Sequence, residues 1–317
     1  WVESDCNIPS GESLVRQLLY GNRFFRREFG MQSRCAWLPD AFGYSWTMPQ
    51  ILKKAQVDSF ITTKITWSRF TDFPYSMFQW EGLDGTRVLG LMPPLNYNGN
   101  THPHDCIDQW NRFKQKDKIG ELPFCFGHGD GGGGPTMEMI EYAKRLGNVV
   151  GVPKVKFGRM QDCIDRMRRD VDFDGLPVFN GELYLEYHRG CQTSQARTKK
   201  NNRQCELLLR NAEWLGSLAL LDGGAYDQRS LYEAWKIVLT NQFHDILPGS
   251  SIRGVYEDTE RDYAQARERT AAVLDGALSH LAGHINTAGD GTPVIVFNPL
   301  SWPRTDVVSV DVKLPRG

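Results

Sequence analysis

The chain has 317 residues, of which 40% are apolar and 24% charged. This composition is ordinary for a soluble folded protein and allows two or three domains with a sizeable core. The formal net charge of −1 excludes the basic field that attracts nucleic acid or anionic lipid. No apolar run reaches about 18 residues, so we predict no membrane-spanning helix and no membrane partner.

The seven cysteines are scattered and form no CxxC pair. Such a set favours reduced intracellular thiols over a disulfide framework, so we expect a cytoplasmic location. The chain begins at Trp1 without a signal-peptide pattern and ends at Gly317 directly after a strand-like run. Both ends therefore look cut, and we expect a piece of a larger protein.

Helix and strand signals alternate through the first part of the chain. Ser10 is expected to cap a helix, and Pro49 to open another. The remaining predicted elements are strands at 35–38, 60–63 and 124–126, a hairpin over 77–92 and a helix over about 136–146. Alternation of this kind predicts an α/β domain over residues 1–190, built on a largely parallel sheet flanked by helices.

The pattern changes after about Gly190. Apolar residues at helical spacing predict helices over 200–222, 230–244 and 254–281. Three consecutive helices with short connections indicate a three-helix bundle over 191–288. From Thr292 valines recur in strand-like runs, which predicts that 289–317 is the incomplete beginning of an all-β, sandwich-type domain.

A first candidate site is Asp40, in WLPDAFGYS at 37–45. This carboxylate directly follows a predicted strand, at the edge of an α/β sheet where ligands and catalytic groups gather. By position alone it is as well explained by a turn or helix-capping Asp, because Asp is common in loops.

A second candidate is the glycine-rich segment at 127–135, which contains Asp130. Its glycines would let the backbone approach a ligand closely, such as a phosphate at the start of the next helix. It lacks the lysine of a P-loop and the spacing of a dinucleotide fingerprint, and it could also be only a mobile loop. Alternatively, Asp130 and Asp40 form the carboxylate pair of a glycosidase.

The third candidate is His244-Asp245, where the second bundle helix ends. Adjacent side chains on a helix point in different directions, so one could bind a metal and the other a substrate hydroxyl. A histidine at a helix carboxyl terminus can equally have a structural role. No other histidine belongs to an HExxH motif.

Four segments in order resemble glycoside hydrolase family 38, the class II α-mannosidases, and the resemblance covers nearly the whole chain. They are VESDCNIPSGE at 2–12, WLPDAFGYS at 37–45, GDGGGGP at 129–135 and QFHDILPGS at 242–250. NPLSW at 298–302 stands where a β domain begins. The resemblance is strongest to the subgroup of cytosolic and bacterial members, and it implies a barrel-like α/β domain of the glycoside hydrolase/deacetylase type.

The resemblance also implies roles for individual residues. Asp40 is similar to the family's nucleophile, which also binds zinc, and His244 to a zinc ligand. Asp245, Lys64 and Tyr97 are similar to residues that contact the sugar or lie beside the nucleophile. Asp130 is the candidate general acid/base. Trp37, Trp67 and Trp80 could stack on a sugar, although we expect each of them in the core.

The implied activity is hydrolysis of terminal α-linked mannose from oligosaccharides with retention of configuration and with Zn²⁺ as cofactor. A homo-oligomer is compatible with the sequence. The family's other two zinc ligands come from a His-x-Asp motif that would precede Trp1, so this chain alone is expected to hold half of a four-ligand site. Two alternatives stay open, namely a phosphate- or nucleotide-binding hydrolase using 127–135 and a non-catalytic sugar-binding fragment.

Overall fold

The computed structural model describes residues 1–95 and 97–312. Its helices and strands, in chain order, are α1 Gly11–Phe29, β1 Cys35–Trp37, β2 Gly43–Tyr44, α2 Met48–Lys54, β3 Ser59–Ile61, β4 Met77–Glu81, β5 Arg87–Leu91, α3 Pro103–Arg112, α4 Met137–Arg145, α5 Met160–Asp170, β6 Val178–Asn180, β7 Leu183–Tyr184, α6 Ala196–Leu221, α7 Gln228–Thr240 and α8 Arg253–Gly283. The predicted α/β alternation followed by three long helices is confirmed.

Five strands form one sheet in the order β1-β3-β5-β4-β6. The neighbours β1 and β3, β3 and β5, and β4 and β6 are parallel, whereas β4 and β5 form the predicted antiparallel hairpin. Because β1, β3 and β5 run in the same direction, their carboxyl ends lie at one edge of the sheet. Residues that directly follow these strands are therefore brought together there.

The three central strands of the sheet, β3, β5 and β4, contribute buried residues to two apolar clusters. Phe60, Phe78 and Trp80 are inaccessible to solvent and belong to one apolar cluster. On the neighbouring strand Gly90 leaves room for the Phe78 ring, since a Cβ atom at Gly90 would lie 2.6 Å from that ring. Close packing of this kind fixes the register of the strands whose ends carry the site.

The predicted strand at 124–126 does not form. The only pairing in this stretch of the described chain is an isolated bridge, in which the N–H groups of Gly99 and Gly127 donate to each other's carbonyl oxygens at 3.2 and 2.9 Å. Pro123 has no N–H to donate, and Phe124 and Phe126 are only partly buried. The segment therefore has neither a continuous hydrogen-bond ladder nor a buried face.

The chain divides into two compact units. The first comprises residues 1–199 and 242–252, and the second comprises 200–241 and the residues from 253 onward. In the second unit α6 and α8 pack through Leu215, Ala219 and Ala277. The predicted domain boundaries at 190 and 288 stay a prediction. Among the described residues, none of the helices is both long and apolar enough to cross a membrane.

Residues 292–312 contain no strand, contrary to the strand-like pattern of their valines. Val307, Val308 and Val310 are exposed, and no described strand lies beside them. A strand needs a partner for its N–H and C=O groups, and alternating valines need a second layer to cover them. The remainder of the predicted β segment, 313–317, lies outside the described residues.

Candidate active site

Asp40, Lys64 and Tyr97 each follow one of the three neighbouring parallel strands β1, β3 and β5. The sheet order, and not their spacing in sequence, therefore places them at the same edge. Asn96, the neighbour of Tyr97, lies outside the described residues.

The loop that carries Asp40 is held by the strand beside it. The N–H of Leu38 donates to the Ile61 carbonyl at 3.0 Å, and the Thr63 hydroxyl donates to the Pro39 carbonyl at 3.1 Å. The Tyr44 hydroxyl donates to the Leu38 carbonyl at 2.6 Å. These hydrogen bonds hold the backbone that leads into Asp40 and so fix the position of its carboxylate.

Both oxygens of the Asp40 carboxylate have a nitrogen partner. The Lys64 ammonium group donates to Oδ1, and Nε2 of His244 lies 3.2 Å from Oδ2. Burial works against ionisation of Asp40, but the hydrogen bonds and charges of His244 and Lys64 outweigh it and lower the pKa of this carboxyl. Asp40 is therefore ionised at neutral pH, as a nucleophile must be.

The opening segment of the chain orients His244. The His244 N–H donates to the Glu3 carbonyl at 3.0 Å, and Nδ1 of the ring lies 3.1 Å from the same oxygen. A proton on Nδ1 satisfies that carbonyl and, in the neutral imidazole, leaves the lone pair of Nε2 facing Asp40. Burial lowers the pKa of His244, whereas the hydrogen bond to Asp40 and the charge of Glu3 raise it, with a net upward shift.

Glu3 is a site residue to which sequence reasoning gave no role. Its Oε1 accepts the backbone N–H of Asp40 at 2.6 Å, while its carbonyl holds His244. Burial raises the pKa of Glu3. The pairing of Ser4 with Phe243 and of Cys6 with Tyr44 brings Glu3 to this position. Its membership in the 2–12 segment was the only signal that could have pointed to it.

Asp40, His244 and Asp245 form a candidate metal centre. Each offers one ligand atom, and these atoms all lie within 4.8 Å of one another. Nε2 of His244 is 3.8 Å from Oδ2 of Asp245. One imidazole and two carboxylates match the nitrogen and oxygen ligands that zinc takes in proteins. The donor set fits zinc, and Asp245 adds a third donor to the two predicted from the sequence.

Tyr97 and Asp130 form a second pair. The Tyr97 hydroxyl donates to Oδ1 of Asp130 at 2.6 Å. Burial, the hydrogen bond to Asp130 and the charge of Asp40 all raise the pKa of Tyr97, so its hydroxyl keeps its proton. Tyr97 thus interacts with both carboxylates that the sequence singled out.

Asp130 itself is exposed, in a loop whose shape depends on glycine. Its φ of 53° is uncommon for a residue with a side chain. At Gly127, with φ of 118°, a Cβ atom would lie 2.9 Å from the Pro135 nitrogen. The glycine run lets the chain fold back tightly and hold the Asp130 carboxylate at its tip.

Aromatic rings lie beside the charged residues. The Lys64 ammonium group is 3.8 Å from the centre of the Trp67 ring, and the His188 ring is 4.6 Å from that of Phe42. Trp67 is 39% exposed, so the expected core role is wrong for this tryptophan. Trp80 is fully buried, as expected. His188 is a second residue of this region that sequence reasoning did not single out.

The family model described as the glycosyl hydrolases family 38 N-terminal domain matches residues 1–182. The chain belongs to glycosyl hydrolase family 38. A second model, the alpha mannosidase middle domain, matches residues 186–281. The resemblance seen in the sequence is thereby confirmed, and the α/β domain and the helices that follow it are those of family 38.

Relatives of this family 38 chain include named mannosidases. It is 43% identical over 329 residues to an alpha-mannosidase of Saccharomyces cerevisiae, a match covering 99% of this chain and 30% of that protein. It is 39% identical over 315 residues to alpha-mannosidase 2C1 of Mus musculus, covering 98% of this chain and 30% of that protein. The chain thus spans about a third of the length of these relatives.

A solved alpha-mannosidase from Enterococcus faecalis V583 has the same fold. The two superpose with a TM-score of 0.72 at 22% identity, over 90% of this chain and 34% of the other. Within the family 38 fold, the predicted site residues form two groups. Lys64, His244 and Asp245 gather around Asp40, whereas Tyr97 bonds Asp130 and also interacts with Asp40.

Proposed function

We propose that the protein is a zinc-dependent retaining exo-α-mannosidase that removes terminal α-linked mannose from oligosaccharides, with Asp40 as its nucleophile. The observation that carries the proposal is the Asp40 carboxylate with Lys64 on one oxygen and His244 on the other. The names of the relatives support mannose as the sugar.

The chemistry would proceed in two displacements. Asp40 attacks C1 of the mannose while Asp130 protonates the departing oxygen, which gives a glycosyl-enzyme. Water then attacks C1 on the face opposite Asp40, and Asp130 accepts the water's proton. The exposed position of Asp130 suits this exchange of protons with the leaving group and solvent.

The other residues of the site orient the two carboxylates, stabilise their charges and contact the sugar. Tyr97 keeps its proton and donates it in a hydrogen bond to Asp130, which fixes that carboxylate. Lys64 stabilises the ionised form of Asp40 before attack. Asp245, which accepts the Ser250 hydroxyl at 2.7 Å, offers its carboxylate to the sugar and to a metal.

Asp40, His244 and Asp245 would hold the zinc ion. When bound, zinc supplies a positive charge that binds mannose hydroxyls and favours ring distortion toward the transition state. The bond from Nδ1 of His244 to the Glu3 carbonyl fixes the ring orientation that this requires.

The test is Asp40→Asn in the protein that contains this chain, assayed on an activated aryl α-mannoside. We expect kcat to fall by more than about 10⁴-fold, the scale on which losing a nucleophile acts, with an unchanged circular dichroism spectrum. The matched control is Asp84→Asn, in the β4–β5 turn, which should keep full activity. Near-normal turnover by Asp40→Asn would refute the assignment. A parent protein that binds mannose but hydrolyses no mannoside would instead indicate a sugar-binding role.

A further inference from the structure

A second cluster of metal-ligating side chains lies in the second compact unit. It consists of Asp222, His280 and His284, whose ligand atoms all lie within 4.8 Å of one another. Asp40, His244 and Asp245 belong to the first unit, so the two clusters share no residue. Neither the proposed reaction nor the family match assigns a role to the second cluster.

His280 lies in the last turn of α8, and His284 directly follows the helix, which ends at Gly283. The two histidines are four positions apart, a spacing that puts both rings on the same side of a helical turn. Their ring centres are 4.8 Å apart. Asp222 directly follows α6, and its Oδ2 lies 3.2 Å from Nε2 of His280 and 2.7 Å from Nδ1 of His284. One carboxylate oxygen therefore faces two imidazole nitrogens.

The turn after α6 is shaped to allow this approach. The N–H groups of Asp222 and Gly224 both donate to the Ala219 carbonyl, at 3.1 and 2.7 Å. Gly223 has a φ of 85°, which favours glycine. A Cβ atom at Gly224 would lie 3.0 Å from the His280 ring, so glycine at this position lets the ring lie against the backbone.

Packing between the helices keeps the two halves of the cluster in place. Ala219 and Ala277, three residues before Asp222 and His280, are both buried in the contact between α6 and α8. The packing thus holds His280 and the turn that carries Asp222 in place, which favours a defined metal geometry. His280 is half-buried, whereas Asp222 and His284 are open to solvent, so an ion can reach the cluster.

We propose that Asp222, His280 and His284 bind a divalent transition metal of the zinc class, which ties the end of α8 to the turn after α6. Two imidazoles and one carboxylate suit zinc, nickel or copper, whereas magnesium and calcium prefer oxygen ligands alone. An ordinary surface salt bridge needs one cation for one carboxylate. Here two imidazoles lie against one carboxylate, with Nε2 of His280 also 3.2 Å from the Asp222 carbonyl, and the cluster offers three ligand atoms within 4.8 Å of one another to a single ion.

The experiment is calorimetric titration of Zn²⁺ into the 317-residue chain carrying His244→Ala, which removes a metal ligand of the proposed active site and leaves the second cluster intact. We expect about one equivalent of zinc to remain bound at the second cluster. His280→Gln or His284→Gln in the same background should weaken this binding at least about tenfold, the lower end for disturbing a metal shell. His104→Gln is the matched control, since His104 also contacts an aspartate, Asp105, at 3.0 Å.

Thermal unfolding supplies an independent measurement. Zn²⁺ should raise the midpoint of thermal unfolding of the His244→Ala chain and of its His104→Gln control more than that of the His280→Gln and His284→Gln variants, because a ligand stabilises the native state in proportion to how tightly it binds. Mg²⁺ at the same concentration should produce no shift. The proposal is overturned if the His244→Ala chain binds no zinc, or if both glutamine variants bind it as tightly as the control. Every arm carries His244→Ala, so the outcome is independent of the proposed active site.

Discussion

Asp40 and Asp130, the two carboxylates proposed for the reaction, lie in very different surroundings. The Asp40 side chain is 16% exposed and has Lys64 and His244 as partners, while its backbone is bonded to Glu3. Asp130 is exposed on a glycine loop, where it accepts a hydrogen bond from the Tyr97 hydroxyl. A nucleophile must stay ionised and in place, whereas an acid/base must exchange protons, and the two environments match these needs.

Among substitutions that affect the exposed carboxylate, Asp130→Asn is expected to have the largest effect on hydrolysis. General acid catalysis contributes about 10²–10⁴-fold, so hydrolysis of mannosides with poor leaving groups should fall by that factor. Activated aryl mannosides, which need no protonation of the leaving oxygen, should form the glycosyl-enzyme at a near-parental rate. Asp117→Asn, on an exposed turn, is the control. Equal loss for good and poor leaving groups would contradict the acid/base role.

On the buried side, Lys64→Met removes the cation next to the nucleophile and keeps most of the side-chain length. His244 and Lys64 together lower the pKa of Asp40 against the opposing effect of burial, so loss of Lys64 must raise that pKa. Because attack requires ionised Asp40, the acidic limb of the kcat/KM profile should move to higher pH. Lys114→Met, at a surface ion pair with Asp72, should leave the profile unchanged. An acidic limb that does not move would show that Lys64 does not lower the pKa of Asp40.

Tyr97→Phe is expected to have the smallest effect, since it removes a hydroxyl that donates to Asp130 at 2.6 Å and also interacts with Asp40, but leaves both carboxylates intact. A hydrogen bond to a charged group contributes about 1.5–3 kcal/mol, and exposure of the pair places the effect at the lower end, about tenfold in kcat/KM. Steady-state kinetics on a natural oligomannoside would measure it. Tyr187→Phe serves as an exposed control, and a loss as large as that of Asp130→Asn would show that Tyr97 does more than hold Asp130.

The sheet edge of the site was predictable from local sequence, because strand signals directly precede Asp40 and Lys64. The contact between Asp40 and His244 was not predictable from local sequence, since they are 204 positions apart in the chain. Only the resemblance to family 38 indicated that they belong to one site. Glu3 escaped prediction for the same reason. Its role depends on bridges from the opening segment to Tyr44 and Phe243, which leave no periodic pattern.

Predictions that relied on strand-like composition alone failed where no partner covers the backbone. Residues 124–126 carry two phenylalanines but make no ladder, and the valines after Thr292 are exposed in the described part of the chain. Helix predictions held better, because capping and spacing act within the helix itself. Ser10, for example, accepts the Ser13 N–H at 3.2 Å, as a capping serine should.

The most direct test of the central claim is to trap the glycosyl-enzyme. The protein would be treated with a fluorinated mannosyl fluoride, which slows hydrolysis of the intermediate, and then digested with trypsin for mass spectrometry. Asp40 is the single acidic residue of the tryptic peptide 35–53, and Asp245 that of peptide 237–253. The account predicts one fluoromannosyl adduct, on peptide 35–53. An adduct on peptide 237–253, or turnover that releases the inverted anomer with no adduct, would contradict it.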